Sequence, residues 1–143
     1  MIRKATNKDI RTILELYKAG LDELGQNYIE ANLVDKICSS LILAPCFLLI
    51  KNDTIVGMAA LTVYKDEFEG KATLTDYMFY IKPENRTYQH LSGLVKRCKE
   101  FALDHDLPFH VNLVIDGDLK IRERLLKMNG FKPVRIVGNF NNG

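Results

Sequence analysis

Apolar residues recur at helical spacing through the first third of the chain and then give way to continuous runs. Ile10, Ile13, Leu14, Tyr17 and Leu21 fall every three or four positions and predict a helix. Thr6 and Asp9 stand ahead of it at capping-box spacing, and Gly25 suits its end. Ile29, Leu33, Val34, Ile37 and Leu41 repeat the pattern until Pro45 stops a second helix. A short strand, MIRKAT, precedes both.

From Cys46 onward the runs are β-rich, punctuated by Asn52-Asp53 and by Glu69-Gly70. They predict three antiparallel strands joined by two hairpins. The middle run, Ile55 to Val63, is apolar almost throughout, as a central strand buried on both faces requires. IKPENRTYQHLSGLVKRC (Ile81–Cys98) then reads as a strand end, a tight loop and a helix. That helix carries Leu91, Leu94, Val95, Cys98 and Ala102 on one face. PFHVNLVID (Pro108–Asp116) predicts a further strand, and LKIRERLLKMNGFKPVRIVGNF a helix, a C-cap at Gly130 and a last strand. The order is β-α-α-β-β-β-α-β-α-β, without repeat or linker. It predicts an α/β protein of the α+β kind, with a mostly antiparallel mixed sheet flanked by helices. At 143 residues, one domain spanning 1–143 is expected.

Composition narrows the choice of chemistry. With 47% apolar residues and a net charge of +2, the chain neither reads as disordered nor demands a nucleic acid or anionic membrane. Cys38, Cys46 and Cys98 form no C-x-x-C pair and read as reduced thiols. The opening residues lack the apolar stretch of a signal peptide, and LILAPCFLLI is too short to span a bilayer. A soluble cytoplasmic protein with no membrane partner is therefore expected. His90, His105 and His110 lack ligand spacing with each other or with cysteine, so no metal site is expected. Lys120, Arg122, Arg124, Lys127, Lys132 and Arg135 outnumber Asp118 and Glu123 near the C-terminus. They read as a solvated helix face. Without aromatic interleaving, a nucleic acid is the weaker reading of that patch.

The element order and three motifs resemble the GCN5-related N-acetyltransferase (GNAT) superfamily over nearly the whole chain. The motifs are the opening IRKATNKDI, YIKPENR (Tyr80–Arg86) and LLKMNGFKPV (Leu125–Val134). The resemblance implies a GNAT-like fold and transfer of an acetyl group from acetyl-CoA to an amine by direct attack. It also implies that the loop after the fourth strand and the first turn of its helix hold the acetyl-CoA pyrophosphate. Helix-start amides suit an anion there. Arg86 matches the first position of the family pattern Arg/Gln-x-x-Gly-x-Gly/Ala, whereas Gln89 and Leu91 stand where small residues are usual. On this resemblance Arg86, Thr87, Tyr88, Gln89, His90, Leu91 and Ser92 line the diphosphate. Backbone amides around Phe79, Tyr80 and Ile81 meet the thioester. The missing glycines imply an altered binding geometry, since side chains restrict close approach.

The family often draws its general acid from a tyrosine in the closing helix, where this chain has Leu126. Tyr88 and Tyr80 are substitutes by location; sheet packing is the plain reading of Tyr80, and an exposed loop residue that of Tyr88. For the base, Asp76 lies in an otherwise apolar strand, where a carboxylate is costly to bury unpaired. Regular alternation puts it on the face of Met78 and Tyr80. Its plain reading is an edge or bulge carboxylate satisfied by hydrogen bonds. Asp116 is a second candidate, and a lone strand histidine such as His110 is more often structural. The acceptor is a small-molecule or peptide amine, in a pocket shaped by Gly20–Tyr28 and by Thr62–Lys71. Two other functions fit the sequence. One is a binding or regulatory protein on the same scaffold that has lost acyl-CoA, favoured by the missing glycines and Leu126. The other is a nucleic-acid-modifying enzyme, favoured only by the basic C-terminal helix. A monomer and a homodimer are both compatible with this pattern.

Overall fold

The computed structural model describes residues 1–112 and 119–132. The expected end of the fifth strand, Asp116, Asp118, Arg135, the closing strand and the tail lie outside the described residues.

The described elements are β1 (Ile2–Lys4), α1 (Ile10–Glu23), α2 (Glu30–Leu43), β2 (Cys46–Lys51), β3 (Thr54–Lys65), β4 (Ala72–Ile81), α3 (Tyr88–Asp104), β5 (Phe109–His110) and α4 (Leu119–Met128). The strands form one sheet in the order β1-β2-β3-β4-β5. The first three pairings are antiparallel and β4–β5 is parallel. The β2–β3 turn works because Asn52 and Asp53 both take positive φ, 51° and 60°. That backbone follows the twist of the two strands. Gly70, at φ 68°, supplies the same freedom in the β3–β4 turn.

Two apolar layers sandwich the sheet. On one face Ile13, Leu16, Tyr17 and Ile37 of α1 and α2 pack on Leu48, Met58, Ala60, Met78 and Tyr80. On the other, Leu94, Val95 and Cys98 of α3 and Leu125 of α4 pack on Phe47, Ala59, Leu61, Leu74, Phe79 and Ile81. β3 therefore contributes to both layers, as its unbroken apolar run predicts. Each fully buried large side chain contributes about 1.5–3 kcal/mol. The start of α1 is pinned by Asp9. Its carboxylate accepts from the Thr6 amide at 2.8 Å and from both terminal nitrogens of Arg3 at 2.8 and 2.9 Å.

The β3–β4 ladder carries one irregularity. Ala60 faces Met78 and Leu61 faces Asp76, so Tyr77 is an extra residue with no partner on β3. Opposed residues share a face of a sheet. Asp76 therefore lies on the face of Leu61, toward α3, while Met78 and Tyr80 lie toward α1 and α2. Regular alternation places all three together; the bulge reverses the phase.

Candidate active site

The bulge lies next to the end of the described β4–β5 pairing. Leu74 and Thr75 pair with Phe109 and His110. One residue later the partner of the Asn112 amide is the Asp76 carboxylate, at 2.7 Å. A side-chain oxygen takes the place of a strand carbonyl at this point. Asp76 is 6% exposed and also lies 3.4 Å from the Asn112 side-chain amide.

Further along β4, the Lys82 amide donates to the Val56 carbonyl at 2.8 Å. That bond fixes the phase of β4. Met78 and Tyr80 turn their peptide groups toward β3, and Phe79 and Ile81 turn theirs the other way. Of the three amides expected at the thioester, the Tyr80 amide is thus engaged inside the sheet. Those of Phe79 and Ile81 point away from β3.

The following loop is held tightly. Arg86 donates through Nε to the Ile81 carbonyl at 2.7 Å, and its two terminal nitrogens meet the Glu23 carboxylate at the end of α1. Its guanidinium also lies 5.4 Å from the centre of the Tyr80 ring. The Arg86 hydrogen bond holds the Glu23 carboxyl below its usual range, and burial opposes this in part. Burial is also the main cause that pushes the Tyr80 phenol up. Tyr80 packs against Gly20 of α1 and is 7% exposed, so sheet packing accounts for it.

The first turn of α3 offers fewer free amides than the sequence suggests. Thr87 is the N-cap, and its hydroxyl accepts from the His90 amide at 3.2 Å. The Thr87 amide donates to Asn85, and the Leu91 amide to Thr87. Ser92 begins the regular ladder. Among the described residues, the Tyr88 and Gln89 amides are the ones in this turn without a hydrogen-bond acceptor. Among the side chains, Gln89 is exposed and Leu91 turns into the α3-side core. The His90 ring contacts the Asn85 carbonyl at 2.7 Å through Nδ1, and Ser92 is buried beside Asn129. Tyr88 donates its hydroxyl to the Met128 sulfur of α4 at 3.2 Å and stays half-exposed.

A cavity of about 600 Å³ opens on the α1–α2 side of the bulge. Tyr77 and Met78 form its floor, and Leu21, Leu24 and Tyr28 come from the end of α1 and the loop after it. Leu33 and Lys36 of α2 complete one wall. Leu21, Leu24, Gln26, Asn27 and Tyr28 line this cavity, whereas no residue of Thr62–Lys71 is among its described lining. Sequence reasoning missed Tyr17. It reads as a core position at helical spacing, yet its phenol lines the cavity, is buried and has no hydrogen-bond partner among the described residues. Burial raises it far above the ordinary phenol range. Among the described residues no cluster of histidine, cysteine or acid is arranged for a metal. No described helix is long and apolar enough to cross a membrane.

No family model and no curated protein sequence matches the chain. Solved structures do. One is described as a predicted acetyltransferase with acetyl-CoA from Clostridium acetobutylicum. It superposes with a TM-score of 0.77 at 19% identity, over 99% of this chain and 95% of that one. An aminoglycoside 6'-N-acetyltransferase from Acinetobacter haemolyticus gives 0.73 at 16% identity, over 100% and 98%. A GNAT family acetyltransferase of Staphylococcus aureus gives 0.64 at 19%, over 100% and 97%. The fold is that of the GNAT acetyltransferases. At these identities the likeness extends to architecture, and the chemistry rests on the chain's own residues.

Proposed function

We propose that the chain is a single acetyltransferase domain that transfers an acetyl group from acetyl-CoA to an amine. The observation that carries this reading is the phase of β4 past the Tyr77 bulge. It turns the Phe79 and Ile81 amides away from β3, next to the cavity floor. A thioester carbonyl on that side of β4 would have a backbone donor toward the charge that develops on its oxygen. The amine lone pair attacks the carbonyl carbon, the C–N bond forms, and the C–S bond breaks. The sulfur leaves with its electron pair, and the proton shed by the amine goes to the thiolate or to water. The Tyr88 and Gln89 amides at the start of α3, with Arg86, are the groups for the diphosphate. Buried Cys46 and Cys98, whose thiols are pushed up by burial, fit a reducing cytoplasmic setting.

A second reading is favoured by a specific observation. Arg86 is already matched by Glu23, and the α3 start is capped by its own Thr87. Both features suit a scaffold that has given up acyl-CoA. Calorimetric titration with acetyl-CoA separates the two. Saturable binding is expected; no heat and no thermal stabilisation up to millimolar ligand would leave the scaffold reading standing.

A further inference from the structure

The cavity beside the bulge has a chemistry of its own. None of its described lining residues is an acid. The described carboxylates nearby are engaged elsewhere, Glu23 with Arg86, Glu30 with Lys18 and Asp76 with the Asn112 amide. Among the described lining residues the single cation is Lys36. It has no carboxylate within ion-pair distance among the described residues and lies 3.9 Å from the centre of the Tyr77 ring. Deeper in, the Tyr17 phenol is a buried O–H donor without a partner among the described residues, and its raised pKa keeps it protonated. The remaining surface is mostly apolar and aromatic.

Building on the acetyl-transfer reading, we infer that this pocket takes an amine with an apolar or aromatic body and a carboxylate, of amino-acid type, and rejects polycationic amines. Three physical points lead there. A polycation needs acidic walls; it meets none among the described lining residues and is repelled by Lys36. A carboxylate finds a strong donor at the Lys36 ammonium. A cavity of about 600 Å³ lies within the size range of small-molecule sites, and aromatic walls suit a ring or branched chain. The same surroundings also favour reaction. Desolvation without a carboxylate partner lowers the pKa of an entering ammonium, so the nitrogen arrives more readily as the nucleophilic free base.

The test is calorimetry on the intact protein, without acetyl-CoA, using L-phenylalanine, phenethylamine and spermidine. Phenylalanine is expected to bind at least about tenfold more tightly than either of the others. Lys36→Met is expected to weaken phenylalanine about tenfold, leave phenethylamine unchanged or slightly tighter, and be rescued by Lys36→Arg. Lys36 is exposed, so these variants keep the core intact. Equal or tighter binding of spermidine or phenethylamine, no binding of any of the three, or indifference to Lys36→Met overturns the inference. Formation of N-acetylphenylalanine from acetyl-CoA is measured separately. Lys36-dependent phenylalanine binding without acetylation keeps the pocket assignment and removes the transfer reading. Acetylation of spermidine without phenylalanine binding keeps transfer and removes the pocket assignment.

Discussion

The Glu23 carboxylate at the end of α1 receives both terminal nitrogens of Arg86 in the loop before α3. The pair ties the end of α1, whose Leu21 lines the cavity, to the loop proposed for the diphosphate. A diphosphate that recruits Arg86 has to compete with this carboxylate. Glu23→Gln weakens the competitor and is expected to tighten acetyl-CoA several-fold, read by calorimetry; a tenfold gain corresponds to about 1.4 kcal/mol. Arg86→Ala is expected to weaken acetyl-CoA more than His110→Ala does. Equal losses in the two variants would place the anion site elsewhere.

Asp76 fastens the residue after β5 to β4 by accepting from the Asn112 amide. Asp76→Ala leaves that donor without its acceptor and is expected to cost about 1–3 kcal/mol in urea unfolding. Asp76→Asn retains an oxygen acceptor and is expected to unfold closer to the parent. If acetyl transfer disappears in Asp76→Asn while stability holds, Asp76 acts as the base rather than as a positioning residue.

Gly57 faces Ile81 across β3 and β4. A Cβ there would lie 2.9 Å from the Tyr80 carbonyl oxygen, a backbone atom that cannot swing aside. Gly57→Ala is expected to push the end of β4 outward and destabilise by about 1–3 kcal/mol. Urea unfolding reads the cost, and acetyl-CoA affinity reads the displacement of the loop. An unchanged midpoint would show that the strands have more room than this geometry allows.

Asp9 gives the fold a pH dependence. Its hydrogen bonds to Arg3 hold the carboxyl at about 2, below the ordinary 3.8. The folded value lies below the unfolded one, so the stabilisation is complete above about pH 4 and fades as pH falls toward 2. Because Arg3 is largely solvated, the effect is small. Asp9→Asn is expected to flatten that part of the acid stability curve. It also frees the Thr6 amide from a charged acceptor.

Cysteine reactivity follows burial. Cys38 is exposed, whereas Cys46 and Cys98 are buried with their thiols pushed up, Cys46 to about 12. One fast-reacting thiol is expected with an aromatic disulfide reagent in the native protein, and three after denaturation. Rapid reaction of more than one thiol would mean that a core layer opens readily.

Period and punctuation were enough to order the chain's elements. Helical spacing at Ile10–Leu21 and Ile29–Leu41, the Asn52-Asp53 turn and the double-sided run of β3 all act through neighbours in sequence, so they are legible without the fold. The stretch around Arg86 likewise marked the turn between β4 and α3. What Arg86 touches was not legible, because Glu23 lies 63 residues away. Nor was the bulge at Tyr77. An extra residue becomes visible only when a second strand supplies the count, and it moved Asp76 to the other face. The Thr87 cap removed amides that the sequence left free, because Thr87 looks the same whether its hydroxyl faces water or its own helix. The Tyr17 phenol passed as core for a similar reason. Periodicity says that a side chain points inward, and only tertiary packing says whether its polar end finds a partner there.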